Sequence, residues 1–313
     1  MATVSGQGTT FNLPNYTGDL YTVAPADAPF LSAIGGLNGG QSTISTEFEW
    51  QTEGVESSSA NNSKVEGAAA PTASEVSRVN VSNVVEIHQE SVEITYTKQW
   101  AVGQHAGIND ENTNPIRDEL AHQIDLKLKK IAVDVELSFL SGVYAKPANN
   151  STARATRGVL TAITTNVFAN GGTGRALSKS IIDQSLKAMF SNGSPLSQGS
   201  TVFMVGPDQK IALSDLYATA TLNQPTMTRN IGGVAIDTII TDFGTFGVML
   251  NRNMPAGQLA VLDLGVCRPR YLGPGFVVEE LAKVGSSRKF QLYGEIGLEY
   301  GAEQYHGLIK DLT

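Results

Sequence analysis

Apolar and polar residues begin to alternate near Thr43. Ile44, Thr46, Phe48 and Trp50 share one phase, and Ser45, Glu47, Glu49 and Gln51 the other. A period of two predicts a half-exposed strand. The stretch from Thr52 to Glu75, TEGVESSSANNSKVEGAAAPTASE, is rich in Ser, Ala, Asn and Glu and has the composition of a soft tract. The strand pattern then returns. Val79, Val81, Val85 and Ile87 lie in one phase, and Val92, Ile94, Tyr96 and Trp100 in the other. The phase change between Ile87 and Val92 predicts a bulge or a break into two strands. The whole reads as a two-stranded excursion with a soft tip. Such a ribbon is marginal by itself in water and needs a surface to lie on. The expected surface is another copy of the chain.

A different period follows. Ile116, Leu120, Ile124, Leu128, Ile131, Val135 and Phe139 are spaced as one face of a helix over 115–141, with Asn114 as N-cap, Pro115 at the first position and Gly142 at the end. At about 1.5 Å per residue it spans roughly 40 Å. Its other face carries Asp118, Asp125, Lys127, Lys129, Lys130 and Asp134, read as a solvated face rather than a phosphate contact. A compact α/β segment comes next. Ser180 with Asp183 suggests a capping box for a helix carrying Ile181, Ile182, Leu186, Met189 and Phe190. STVFMVG reads as a buried strand, Pro207 as the start of a short helix through Ile211, Leu213 and Leu216, and GGVAIDTIITDFGTFGVMLN as two strands about a turn at Asp242–Gly244. AVLDLGVCRPRYL is strand-like. Near the end, Phe290, Leu292, Ile296, Leu298 and Tyr300 alternate with Lys289, Gln291, Glu295 and Glu299 as a long half-exposed strand. Residues 1–35 are irregular, with Phe11, Leu13, Tyr16, Leu20, Tyr21, Phe30 and Leu31 as scattered anchors. The fold class expected is α+β.

Charge adds an asymmetry. Residues 1–97 hold 11 acids and two bases, Lys64 and Arg78, while 98–313 hold 19 acids and 20 bases. The net charge of −8 therefore sits in the N-terminal third. This excludes a protein that grips nucleic acid through a basic face. It suits an acidic third that docks on a more basic remainder, in the same subunit or a neighbour. No run of about 18 apolar residues suggests a membrane span, and the N-terminus has no secretory pattern. The single cysteine, Cys267, fits a reducing compartment and reads as a small buried apolar residue.

Candidate chemistry changes little. His88, His105, His122 and His306 belong to no metal-ligand spacing. NGGTGR lacks the Lys-Ser/Thr of a phosphate loop, and no G-x-S-x-G elbow is present. The neighbouring acids Glu279–Glu280 and the pair Glu47 and Glu49 are not placed to share a substrate. No catalytic set, cofactor or metal is expected. The informative features are an arm, a ribbon, a spine-like helix, an α/β unit and a return strand.

In that order the elements resemble the major capsid proteins of tailed bacteriophages, whose fold is shared with the herpesvirus capsid floor and encapsulin shells. The resemblance is carried by PADAPFLSAIGG, FEWQTEGV, KVEGAAA and VSNVVEIHQESVEITYTKQWAVGQHAG. ELAHQIDLKLKKIAVDVELSFLSG, TDFGTFGVMLNRNMP, VLDLGVCRPRYL and VEELAKVGSSRKFQLYGEIGLEYGAEQYHGLI continue it along essentially the whole chain. The resemblance implies an N-terminal arm at 1–35 and an extended β-hairpin loop at 36–105. It implies a peripheral domain at 106–172 and 256–313, with the spine helix at 115–141, and an axial domain at 173–255. It implies a non-enzymatic subunit that self-assembles as hexamers and pentamers into an icosahedral head, made in the host cytoplasm, around double-stranded DNA held without sequence-specific contact. A portal is an implied partner, decoration proteins are left open, and the arm's early start implies a separate scaffolding protein or none. An encapsulin-type compartment is the alternative. Candidate inter-subunit contacts are Glu47, Glu49, Glu53, Glu56, Lys64 and Glu66 of the loop against Arg268, Arg270, Arg288 and Lys289 of a neighbour.

Overall fold

The computed structural model describes residues 26–56, 58, 60, 62–100, 119–220, 228–231 and 234–313. The expected anchors from Phe11 to Tyr21, His105, and the helix start at Asn114 and Pro115 lie outside the described residues. In chain order the first elements are α1 (Pro29–Ala33), β1 (Gln41–Thr43), β2 (Glu47–Glu53), β3 (Arg78–Val84), β4 (Glu86–Thr95), α2 (Tyr96–Trp100) and α3 (Glu119–Ser141). Then come α4 (Val159–Ala162), β5 (Val167–Phe168), α5 (Lys179–Ser191), β6 (Thr201–Val205) and α6 (Pro207–Ala220). The last are β7 (Thr228–Ile231), β8 (Val234–Thr241), β9 (Gly244–Leu250), β10 (Leu259–Asp263), β11 (Arg268–Glu280), β12 (Ser287–Glu299) and β13 (Gly307–Ile309).

The chain divides into two units. The smaller comprises Met1–Asp27, Gln89–Val133 and Val277–Tyr293; the larger comprises Ala28–His88, Asp134–Phe276 and Gly294–Thr313. In the smaller unit the hairpin between β11 and β12 closes with Leu281 N–H bonded to Lys289 O at 2.8 Å. Its Arg288 guanidinium grips both oxygens of Glu280 at 3.0 and 2.9 Å, which holds that carboxyl below its usual range. Lys127 and Lys130 of α3 both reach Glu90 of β4 and Lys129 pairs with Asp125, so every lysine of the KLKK run is committed to an ion pair.

The larger unit is built on a seven-stranded sheet in the order β5-β13-β10-β6-β9-β8-β7. Its central strands β6 and β10 are buried at every position, which their apolar composition dictates. α5 buries Ile182, Leu186 and Met189, and α6 buries Leu213, in one cluster with Phe203, Val205, Phe246, Val248, Leu259 and Val261. Each such side chain contributes roughly 1.5–3 kcal/mol. A four-stranded sheet runs β1-β11-β12-β4, with β1 parallel to β11. β2 and β3 form an antiparallel ribbon, from Glu47 opposite Val84 to Glu53 opposite Arg78.

Several expectations are corrected. The strand foreseen from Thr43 is two strands, because the chain bends at residues 44–46 and leaves Ile44 fully exposed. The foreseen break in the return strand falls at Val85, earlier than the phase change, where Val84 and Val85 are both buried. Tyr96 and Trp100 are not strand residues but bound a short helix. AVLDLGVCRPRYL is two strands, β10 and β11, separated by a turn closed by Cys267 N–H to Leu264 O. The capping box does not form: α5 begins two residues earlier, its N-cap is Ser178, and Ser180 instead accepts a hydrogen bond from Gln184 inside the helix. The seven-stranded sheet takes β6 to β9 from residues 173–255 and β5, β10 and β13 from either side of them. β10 is drawn in because all five of its residues are buried between two partner strands.

Candidate functional site

The ribbon is the unusual feature of the larger unit, and its root is elaborately fixed. Trp50 of β2 donates its indole N–H to Gly301 O at 2.8 Å and meets the Tyr300 ring edge-on at 4.9 Å. An aromatic pair of this kind adds about 0.5–1.5 kcal/mol beyond area burial. Arg157 donates to the Tyr300 hydroxyl at 3.2 Å and lies 4.7 Å from the Tyr144 ring centre. Gly297 of β12 admits the ribbon closely: a Cβ there would sit 2.6 Å from Val84 O.

Asn83, fully buried on β3, uses every hydrogen-bonding group it has. Its amide donates to Arg157 O at 3.1 Å and Leu298 O at 2.7 Å, and its oxygen accepts from Arg157 N–H at 2.8 Å and Val84 N–H at 2.9 Å. The side chain thus stands in for a missing strand partner. One turn of chain away, Glu86 accepts from the Thr156 N–H and the Ser138 hydroxyl. A second buried anchor is Glu136 of α3. It accepts from Phe30 and Leu31 N–H at 3.1 and 2.6 Å and from the Asn251 amide at 2.6 Å. Those two amides are unpaired donors at the start of α1, so a carboxylate 105 residues downstream supplies the cap that Ala28 lacks.

Beyond the root, exposure rises. Residues 54–77 hold no strand or helix among those described and are exposed throughout, including Val55 and Val65. The candidate contact residues divide into two groups. Five have partners in their own chain: Glu47 with Lys146, Glu49 with Asn80 at 3.2 Å, Glu53 with Arg78 at 3.1 Å, Arg270 with Glu299 and Gln41, and Arg288 with Glu280. Glu56, Lys64, Glu66, Arg268 and Lys289 stand exposed. An open hollow of about 350 Å³ lies between Glu86, Ile87, Pro147, Asn149 and Arg154. Its charged members already serve structural contacts, Arg154 with Glu295 at 2.7 Å.

Among the described residues no cluster of three His, Cys, Asp or Glu side chains suits a metal ion, and no helix is long and apolar enough to cross a membrane. Cys267 is buried, and burial pushes its thiol far up. His306 is buried between Tyr300 O, to which Nε2–H donates at 2.8 Å, and Asp263 N–H, which donates to Nδ1 at 3.3 Å. This geometry holds the neutral ring, and burial lowers its pKa from 6.5. His88 is lowered too, by burial acting against Glu86 and Asp134. The unfolded chain therefore binds more protons than the folded one as pH falls below about 6.5. Stability is expected to be full above that pH and to decline below it. A second loss follows below about 4.5, as Glu90 and Glu280, both lowered by their Lys and Arg partners, take up protons. Denaturant titrations across this range check it; stability that holds or rises between pH 7 and 5.5 refutes the histidine part.

Asn83, Glu136 and Arg157 were not foreseen from sequence, though two of them carry a signal. Asn83 interrupts the odd-numbered valines of its strand, and Glu136 sits one turn before Phe139 and Leu140 on the apolar face of α3.

Solved structures share this fold of a rooted ribbon, a long helix and a seven-stranded α/β unit. The capsid asymmetric unit of cyanophage A-1(L) superposes with a TM-score of 0.67 at 13% identity, covering 96% of this chain and 97% of that one. The capsid of a native GTA particle gives 0.64 at 12% identity over 100% and 99%. The holo-SrpI encapsulin of Synechococcus elongatus PCC 7942 gives 0.59 at 12% identity over 96% and 92%. The sequence model of the SU10 major capsid protein family matches residues 3–313, and the chain belongs to that family. It is also 32% identical over 120 residues to the major capsid protein of Escherichia phage Phieco32, a match that spans 38% of this chain and 30% of that protein's length. The resemblance in the sequence to phage capsid proteins is thereby borne out.

Proposed function

We propose that this chain is the main structural subunit of a tailed-phage head. Copies assemble as hexameric and pentameric capsomers into an icosahedral shell in the virion, enclosing double-stranded DNA without sequence-specific contact. The observation that carries the reading is the ribbon: seven paired residues per strand, a root fixed by Asn83 and Trp50, and a tip exposed at every described residue between 54 and 77. A protein that functions alone gains nothing from that construction. In this reading 36–105 is the extended loop, 106–172 and 256–313 the peripheral domain and 173–255 the axial domain. The subunit has a structural rather than catalytic role, and a portal is its partner in the head, with a separate scaffolding protein or none. Glu47, Glu49, Glu53, Arg270 and Arg288 are occupied within the chain, so pairing between subunits falls to Glu56 and Glu66 against Arg268 and Lys289. The encapsulin reading shares the fold, but the family match favours the phage head.

The test is microscopy and sedimentation of the protein expressed alone and with its scaffold, beside a variant in which residues 54–77 are replaced by a short Gly-Asn turn. The full chain is expected to give rings or closed shells. The shortened chain is expected to melt as before but to remain unassembled. A full chain that stays monomeric in every condition overturns the reading.

A further inference from the structure

α5 and α6 cover the same face of the seven-stranded sheet, and their outward faces differ in charge. α5 exposes Lys179, Gln184, Lys187 and Phe190, with Asp183 half-buried. α6 exposes Asp208, Ile211, Ser214 and Asp215, with Lys210 half-buried. Each helix turns one large apolar side chain outward among these charges: Phe190 is 63% exposed and Ile211 64%. The spacings 187 to 190 and 208, 211, 215 put charge and apolar residue on one stripe of each helix. Phe190 leans on Phe243 of the β8–β9 turn at 6.2 Å, which stiffens the basic face without covering it.

We propose that the α5 face of one subunit packs on the α6 face of the next, with Phe190 and Ile211 in the centre and Lys179 and Lys187 opposite Asp208 and Asp215. This rests on the shell reading above and names the surfaces by which neighbouring copies meet. Repeated head-to-tail, such a contact gives a ring where its rotation closes. One apolar pair sets the core of the contact and the charges set its polarity. A head-to-head arrangement places lysine against lysine and is disfavoured.

The test uses charge reversal in the full chain, with melting curves to show that each variant is folded. Lys179→Glu with Lys187→Glu gives two acidic faces, and Asp208→Lys with Asp215→Lys gives two basic ones. Each is expected to lower the yield of rings and shells about tenfold at low salt. All four changes in one chain restore opposite charge, and assembly is expected to return. Mixing the two reversed chains is expected to give alternating rings of even number and few pentamers. Independently, Phe190→Cys with Ile211→Cys in one chain is expected to form a ladder of disulfide-linked multimers on oxidation. These two positions are exposed, so this variant keeps the core intact. Reversed variants that assemble like the parent, a fourfold variant as defective as its halves, or an oxidised double-cysteine chain that stays monomeric each overturn the proposal while parent shells still form. A parent chain that forms no ring or shell even with its scaffold overturns the shell reading and this inference with it.

Discussion

Glu136→Ala costs about 3–5 kcal/mol of folding stability, more than other polar substitutions in the larger unit. The side chain is fully buried and its two oxygens take three N–H donors, from Phe30, Leu31 and Asn251. Truncation strands the Phe30 and Leu31 N–H groups and leaves the Asn251 amide nitrogen with only the Met204 sulfur at 3.4 Å. Each buried donor so stranded costs about 1–3 kcal/mol. At roughly 2–4 °C per kcal/mol for a chain of this size class, the midpoint falls by about 10 °C. Glu136→Gln separates the contributions. Its oxygen can keep the Oε1 contacts with Phe30 and Asn251, but its amide nitrogen then faces the Leu31 N–H at the position of the 2.6 Å bond. An intermediate loss is expected. Amide exchange gives the local readout: the Phe30 and Leu31 amides exchange faster in Ala than in Gln, and faster in Gln than in the parent. A Glu136→Ala protein within 1 kcal/mol of the parent would falsify the account of this anchor.

Asn83→Ala is expected to cost about 3 kcal/mol and to loosen the ribbon selectively. It strands the N–H groups of Arg157 and Val84 and the carbonyls of Arg157 and Leu298. Asn83→Asp is at least as harmful, since a second oxygen then faces two carbonyl oxygens. Asn80→Ala is the control. Asn80 is exposed and bonds only across the ribbon to Glu49, so its loss stays within about 0.5 kcal/mol. Limited trypsin digestion reports on the ribbon itself. Cleavage after Arg78 is expected to accelerate in the Ala and Asp variants of Asn83 and not in Asn80→Ala. Equal cleavage rates in all three would show that the root does not govern the ribbon's order.

The periodic parts of this fold were open to reading from the sequence. The i, i+4 stripe of α3 and the alternation of β12 follow from burial on one face, and burial on one face leaves a period. The ribbon showed itself because a tract almost empty of large apolar residues divides two alternating runs. Tyr96 to Trp100 misled because Tyr, Thr and Trp favour strands, whereas here tertiary context winds them into a turn of helix. Ser180 and Asp183 had the spacing of a capping box, but a start shifted by two residues put Ser180 inside the helix. The partners of the charged residues were out of reach for a simpler reason. Lys146 lies 99 positions from Glu47, and Arg270 lies 29 from Glu299, and no local pattern encodes such pairings. Asn83 and Glu136 stood in plain view as polar residues in apolar phase, a sign that reads as noise until the partner backbone is in place.

The root of the ribbon also sets how the molecule carries load. A pull on the tip opens the β2–β3 ladder from Glu53 and Arg78 inward, one exposed rung at a time, like a zipper. At the far end, the Asn83 and Trp50 bonds to Leu298, Arg157 and Gly301 lie together and must yield together. The ribbon is therefore compliant where it is gripped and stiff where it is fastened. Strain spends itself in the outer rungs, which re-form without a template, before it reaches the joint whose loss would unseat the strand.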